Sequence, residues 1–349
     1  MKSLQKLKLI LILFLALSIT QSCDKDDFID QFNPDTVADA VDPETNDQSD
    51  ENNNDDDDDW DDSNWDDDDG ENSDSAGGDG SITLYKVEGN TISKTQNYDV
   101  SGQLKEAQDD VAKHQEIWEL IKKIVPENYM SKIGEFVIYW GDADGSSGYV
   151  TENSADLSVW KMGIAIDYAY EGGFNADGEL AYTIIHEFGH ILTLDNTQVD
   201  ASVSENNCQN FFTGEGCAKT NSYINQLQTR FWADIWSEFE KARESESGMQ
   251  DFYSKHSDRF VTQYAATNPG EDIAEVFATF VTSNNNPNGI SIADKKVQLM
   301  YDYPELIALR DFVRGNTANA KGRSYLPVAG TWKKANTLGN PKKGCSHKK

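Results

Sequence analysis

Apolar positions in this chain fall into strand-like alternation near one end and helical spacing through most of the rest. Ile82 to Val87 and Thr91 to Thr95 flank Gly89-Asn90, the pattern of a β-hairpin. From 103 to 124, Leu104, Val111, Ile117, Trp118, Leu120, Ile121 and Ile124 recur at helical intervals, and Pro126 stops the helix. Phe136 to Trp140 reads as a short apolar strand, and 160–167 (Trp160-Lys161-Met162-Gly163-Ile164-Ala165-Ile166-Asp167) as a second. Gly178 to Leu194 is a strongly apolar helix with an acid, Glu179, in its first turn. Helical stretches follow at 224–243, 271–282, 292–301 and 305–314. The order predicts an α+β domain over 81–315, with a small N-terminal sheet and a mainly helical C-terminal lobe, and no internal repeat.

The flanks carry different patterns. Lys2, Lys6 and Lys8 precede an apolar run, Leu9 to Ile19, too short to span a bilayer comfortably. Thr20-Gln21-Ser22-Cys23 follows and resembles a bacterial lipobox. On that reading 1–22 is a signal peptide and Cys23 the lipidated first residue of the mature chain; the rival is an ordinary signal peptide with an incidental cysteine. Asp24-Lys25-Asp26-Asp27 resembles the tag that sends some lipoproteins to the outer face of the outer membrane. The expectation is an exported, surface-exposed lipoprotein.

Composition then divides the chain. The formal charge is -31, but residues 24–80 hold 25 acids against one lysine. Such a segment buries too little apolar surface to offset the entropy of ordering, so 23–80 is expected to act as a solvated tether; its aspartates suit calcium, yet their spacing matches no EF-hand loop. The folded part is only moderately acidic, and no basic stripe points to nucleic acid. Beyond Arg314 the chain has no acid and is basic, with Lys321, Arg323, Lys333, Lys334, Lys342, Lys343, Lys348 and Lys349, so 316–349 is expected to be a partly loose tail. Cys208 and Cys217 bracket a turn-rich loop suited to a disulfide, as an exported protein permits, leaving Cys345 over.

The chemistry centres on His186-Glu187-Phe188-Gly189-His190. Two histidines four apart share one helix face and can reach one metal ion, while the glutamate beside them can take a proton from an activated water. The plain alternative is a helix whose histidines are satisfied by hydrogen bonds. In so apolar a helix, His, Glu and His are costly to bury without partners, and a metal removes that cost. Gly189, a poor helix former, predicts close approach of another backbone. Ligand type points to zinc, with cobalt or manganese as substitutes. The third ligand is open to three solutions. A metzincin histidine is excluded, because Asn196 occupies its position and Thr193 that of the usual glycine. Asp195 or Asp200 lies close in sequence. Glu271, on a downstream helix with Glu275 one turn on, fits well, and Ala274 would let the two helices approach. Asp272 and Glu275 are its nearest substitutes. His114 and His256, set among charged and polar residues, are expected at the surface, and His347 lies in the tail.

The segment Tyr264-Ala265-Ala266-Thr267-Asn268-Pro269-Gly270-Glu271-Asp272-Ile273-Ala274-Glu275-Val276-Phe277 is similar to the corresponding part of lethal-factor-like gluzincin peptidases. These pair His-Glu-x-x-His with a Glu-x-x-Ala-Glu helix and a tyrosine seven residues before its first glutamate. The resemblance implies a zincin-like metallopeptidase fold, one catalytic zinc on His186, His190 and Glu271, Glu187 as general base, Tyr264 as oxyanion stabiliser, and Glu275, with Asp272, as outer residues supporting the ligands. In zincins the strand before the metal helix lies along the cleft and pairs with extended substrate, which would make Met162 and 164–166 its upper wall, although Trp160 fits a core position equally. The likeness covers about a tenth of the chain. It implies hydrolysis of peptide or protein substrates; the lipobox reading adds attachment to the outer membrane through the lipid on Cys23, and the chain is expected to be a monomer. A metallohydrolase with another substrate and a catalytically silent binding module use the same residues.

Overall fold

The computed structural model describes residues 80–143, 145–317, 326 and 332–342. The signal segment, Cys23, residues 23–79 of the tether, Cys345 and His347 lie outside the described residues. The described chain is mixed α+β. Strands β1 (Ser81–Glu88) and β2 (Thr91–Asn97) form the expected antiparallel hairpin, closed by Gly89, whose φ of +59° lies in the left-handed region that glycine enters freely. Helices α1 (Gly102–Asp109), α2 (Val111–Ile124) and α3 (Glu127–Met130) lead to β3 (Ile133–Tyr139), β4 (Gly148–Glu152) and β5 (Trp160–Ala165). The five strands make one sheet in the order β2-β1-β3-β5-β4, with β3 and β5 parallel and the other pairs antiparallel. A short helix, α4 (Ile166–Ala169), precedes α5 (Glu179–Leu194). A two-stranded ribbon, β6 (Val199–Asp200) and β7 (Cys217–Ala218), follows, and Cys208–Cys217 is a disulfide with its Cα atoms 5.3 Å apart. Then come α6 (Tyr223–Phe231), α7 (Trp236–Ala242), α8 (Glu246–His256), α9 (Pro269–Thr282), α10 (Ile292–Tyr301) and α11 (Pro304–Asn316).

Side-chain alternation divides the sheet's faces. Phe136, Ile138, Met162 and Ile164 join Ile117, Trp118 and Ile121 of α2 and the apolar residues of α5 in the main core. Their alternates Val137, Tyr139 and Ala165 form a smaller cluster with Tyr149 on the other face. Every residue of α5 from Leu180 to Leu194 is buried, as an all-round apolar helix requires. Helix α9 packs along it, and α6, α10 and α11 pack on α9. Gly189 is where α5 and α9 meet: a Cβ there would lie 3.3 Å from Ala274 Cα and 3.2 Å from Phe277 Cδ1.

Several expectations need correction. The helix read over 103–124 is two, broken at Asp110, whose side chain accepts from Lys113 N and caps α2. The helix read over 224–243 is likewise α6 and α7, and α8 is additional. Strand 160–167 ends at Ala165 and is not an edge, because β4 covers its outer side; Met162, Ile164 and Trp160 are fully buried. His114 is fully buried as well, bonded to Tyr85 Oη at 2.7 Å and Ala107 O at 2.9 Å. It stands three, four and seven residues before Ile117, Trp118 and Ile121, on the stripe that faces the core. His256 is only 13% exposed and pairs with Glu238 at 3.1 Å. Of the described tail residues, Leu326, Trp332 and Ala335 belong to the main core, while Asn336, Thr337 and Lys342 are exposed.

Candidate metal centre

The site lies between α5 and α9. Asn268 fixes the start of α9: its side chain accepts from the backbone of Gly270 and Glu271, both at 2.9 Å, and Pro269 occupies the first turn. Glu271 therefore projects from a rigid first turn toward the histidines. His186 Nε2, His190 Nε2 and Glu271 Oε2 form a triangle with sides of 3.1, 3.2 and 3.4 Å. Ligands about 2.0–2.1 Å from a tetrahedral zinc stand about 3.3 Å apart. The three donor atoms, all buried, thus have the spacing of one face of a tetrahedron. Neither sequence-adjacent aspartate joins them. Asp195 pairs with Lys132 at 2.7 Å, and Asp200 accepts from Ser202.

Glu275, one turn after Glu271, accepts from His186 Nδ1 at 2.8 Å, Thr262 Oγ1 at 2.6 Å and Tyr182 Oη at 3.3 Å. This arrangement sets the ring: with Nδ1–H donated to Glu275, Nε2 faces the other two ligand atoms, and its lone pair becomes available to a metal once the Nε2 proton is lost. Thr262 also accepts from Ala265 N at 3.1 Å, which ties Glu275 to the turn Tyr264–Ala266. Asp272 points elsewhere, accepting from Trp232 Nε1 at 2.7 Å and from Lys296 at 2.6 Å. Glu187 is 3% exposed, and its Oε2 makes no hydrogen bond among the described residues. It lies against β4, where a Cβ on Gly148 would come within 3.1 Å of Glu187 Cγ.

Tyr264 is buried, its ring 5.9 Å from that of His186. Burial and the charges of Glu271, Glu187 and Glu275 hold its hydroxyl well above the ordinary tyrosine value, so it keeps its proton. Burial alone would push His186 down, but its hydrogen bonds to Glu271 and Glu275, with the charges of Glu275 and Glu187, push it up to about 10. Three carboxylates in one buried site make a strong demand for a cation, which a proton on His186 meets in part and a divalent ion would meet further, leaving one negative charge of the three.

Comparison with known protein families, curated proteins and solved structures finds no match. Weight therefore falls on the donor set. Its spacing, the His186–Glu275 orienting bond and the unbonded Glu187 oxygen all fit a single zinc-sized ion. One consequence is measurable. At neutral pH the metal-free chain carries the His186 proton, and a ligand must lose it. Metal uptake at pH 7 is expected to release about one proton from His186, and the release should fade toward pH 10. Calorimetry in buffers of different ionisation enthalpy reads this directly. The proton's contribution to metal-free stability is complete below about pH 6.5 and disappears as pH rises through about 10.

Three contributors were missed in the sequence: Thr262, Tyr182 and Trp332. Thr262 and Tyr182 have no local signature, since each acts only through the turn or helix that brings it to Glu275. Trp332 had one, a large aromatic in an otherwise basic tail.

Proposed function

We propose that the chain is a zinc-dependent hydrolase of peptide bonds with a zincin-like, gluzincin-type site, displayed at the cell surface by a lipid on Cys23. The observation that carries the reading is the tetrahedral face of His186, His190 and Glu271, with the Glu187 charge acting on His186 and Tyr264. Zinc held there would supply Lewis acidity, activating a water and polarising the scissile carbonyl. Glu187 takes the proton from the attacking water and returns it to the leaving amine. Tyr264, which keeps its proton at neutral pH, donates to the developing oxyanion. Glu275 holds the His186 ring in place. Because β4 is the outer strand and runs past Glu187 at Gly148, extended substrate would lie along β4 rather than β5.

The test combines metal analysis of the purified chain with unbiased cleavage of a peptide library. A single zinc and cleavage of the library are expected. Glu275→Ala should weaken zinc binding about 10- to 100-fold, the usual effect of losing an orienting partner, and Glu271→Ala by more. A fully zinc-loaded chain that leaves the library intact rejects the peptidase reading; a chain that binds no zinc rejects the site.

A further inference from the structure

The tail segment 332–339 wraps the turn that carries Tyr264. Ala335 O accepts from Gln263 N at 2.8 Å, one residue before the tyrosine. Gly339 N donates to Thr267 Oγ1 at 2.8 Å, three residues after it. Just before these anchors in the chain, the Trp332 indole stands edge-on to the Tyr264 ring at 5.2 Å, and lies 5.5 Å from both His186 and Tyr182. Trp332 is 5% exposed, and its Nε1 makes no hydrogen bond among the described residues, where ring packing seats it. Gly339 closes the arrangement: a Cβ there would fall 3.0 Å from Tyr264 Cε2 and 3.0 Å from Thr267 Cγ2.

We infer that residues 332–339 are a strap that positions Tyr264 at the metal centre, with Trp332 and Gly339 as its positioning residues. The inference rests on the hydrolase reading for its catalytic consequence and on geometry alone for the docking. The physical reason is the shortness of the turn. A single 3-10 turn, Tyr264–Ala266, has few internal hydrogen bonds to hold a side chain still. The strap supplies backbone anchors on both sides of it and an aromatic wall against the ring. Orientation of a donor matters at this scale, since a displacement of about 1 Å can cost about 100-fold in rate.

The experiment uses the full chain carrying Gly339→Ala or, as a milder change, Trp332→Phe, each also combined with Tyr264→Phe. Zinc content, hydrogen exchange and kcat and KM are measured together. Zinc content is expected to stay at the wild-type level. Amide exchange over 263–267 should rise while α5 and α9 stay protected. For Gly339→Ala, kcat should fall about 10- to 100-fold with little change in KM. In the Tyr264→Phe background the same substitution should lower kcat no further, because its effect acts through the tyrosine hydroxyl. Unchanged exchange over 263–267 overturns the inference, as does an unchanged kcat, or an equal fall with and without the hydroxyl. If wild-type, zinc-loaded chain cleaves no peptide, the hydrolase reading fails on its own. The exchange measurement then decides the strap: raised exchange supports it and unchanged exchange overturns it.

Discussion

Replacing Glu187 with glutamine is expected to leave zinc bound and to lower peptide hydrolysis about 100- to 10,000-fold, the range that general acid–base groups contribute. The side chain is separate from the three donors that form the metal triangle, so its loss should not empty the site. Glutamine matches glutamate in shape, and the close approach to Gly148 stays satisfied. What disappears is a carboxylate able to accept the proton of the attacking water. The substitution also removes a buried carboxylate whose Oε2 makes no hydrogen bond among the described residues. Burial of such a group opposes folding. The melting temperature should therefore hold or rise while activity falls, the pairing of effects that marks a group kept for chemistry rather than for stability. Activity within twofold of wild type would remove Glu187 from the mechanism. Loss of zinc would make it a ligand instead.

Much of this site was legible because its chemistry is written in short local spacings. The i, i+4 histidines, the acid between them and the i, i+4 pair Glu271 and Glu275 each lie on one helical face whatever the rest of the fold does. Gly189 marks the helix crossing, since a glycine in an apolar helix needs a reason, and Ala274 lies against it. The hairpin at 81–97 was equally local. Errors came where tertiary packing decides. Gly-Tyr-Val-Thr-Glu at 148–152 has no clean alternation and becomes a strand only because β5 offers it an edge. Asp110 breaks a helix whose periodicity runs through it, by capping the next one. His114 looked solvated because its neighbours are charged, yet its own position lies on the buried stripe. The docking of Trp332 on a turn far earlier in the chain could not be read from spacing, because composition alone described a basic tail.

Asp272 shows the same limit, and from it comes a large expected effect on stability. Its place beside Glu271 suggests a supporting role at the metal, but the helix turns it about 100° away, where it meets Lys296 in a pair with neither side chain exposed. Burial pushes Lys296 below and Asp272 above its ordinary value, and their mutual attraction opposes both shifts. Trp232 Nε1 donates to the same oxygen of Asp272, and the Lys296 ammonium stands 4.2 Å from the Phe260 ring and 5.5 Å from that of Trp232. The pair thus fastens α10 to the first turn of α9 and to the end of α6. Lys296→Met leaves a buried carboxylate without its cation, and breaking a buried pair from one side costs about 3–5 kcal/mol. The double change Lys296→Met with Asp272→Leu removes both charges and should recover most of that loss, because dissolving a buried pair into apolar contacts is often close to neutral. Urea unfolding of the four chains in the cycle, all at equal zinc loading, gives the coupling. A single mutant within 1 kcal/mol of wild type would show that water reaches the pair. If the double mutant is no better than the single, the pair's role lies in geometry that apolar residues do not reproduce, and Glu271, one residue away, should then bind zinc more weakly in that variant.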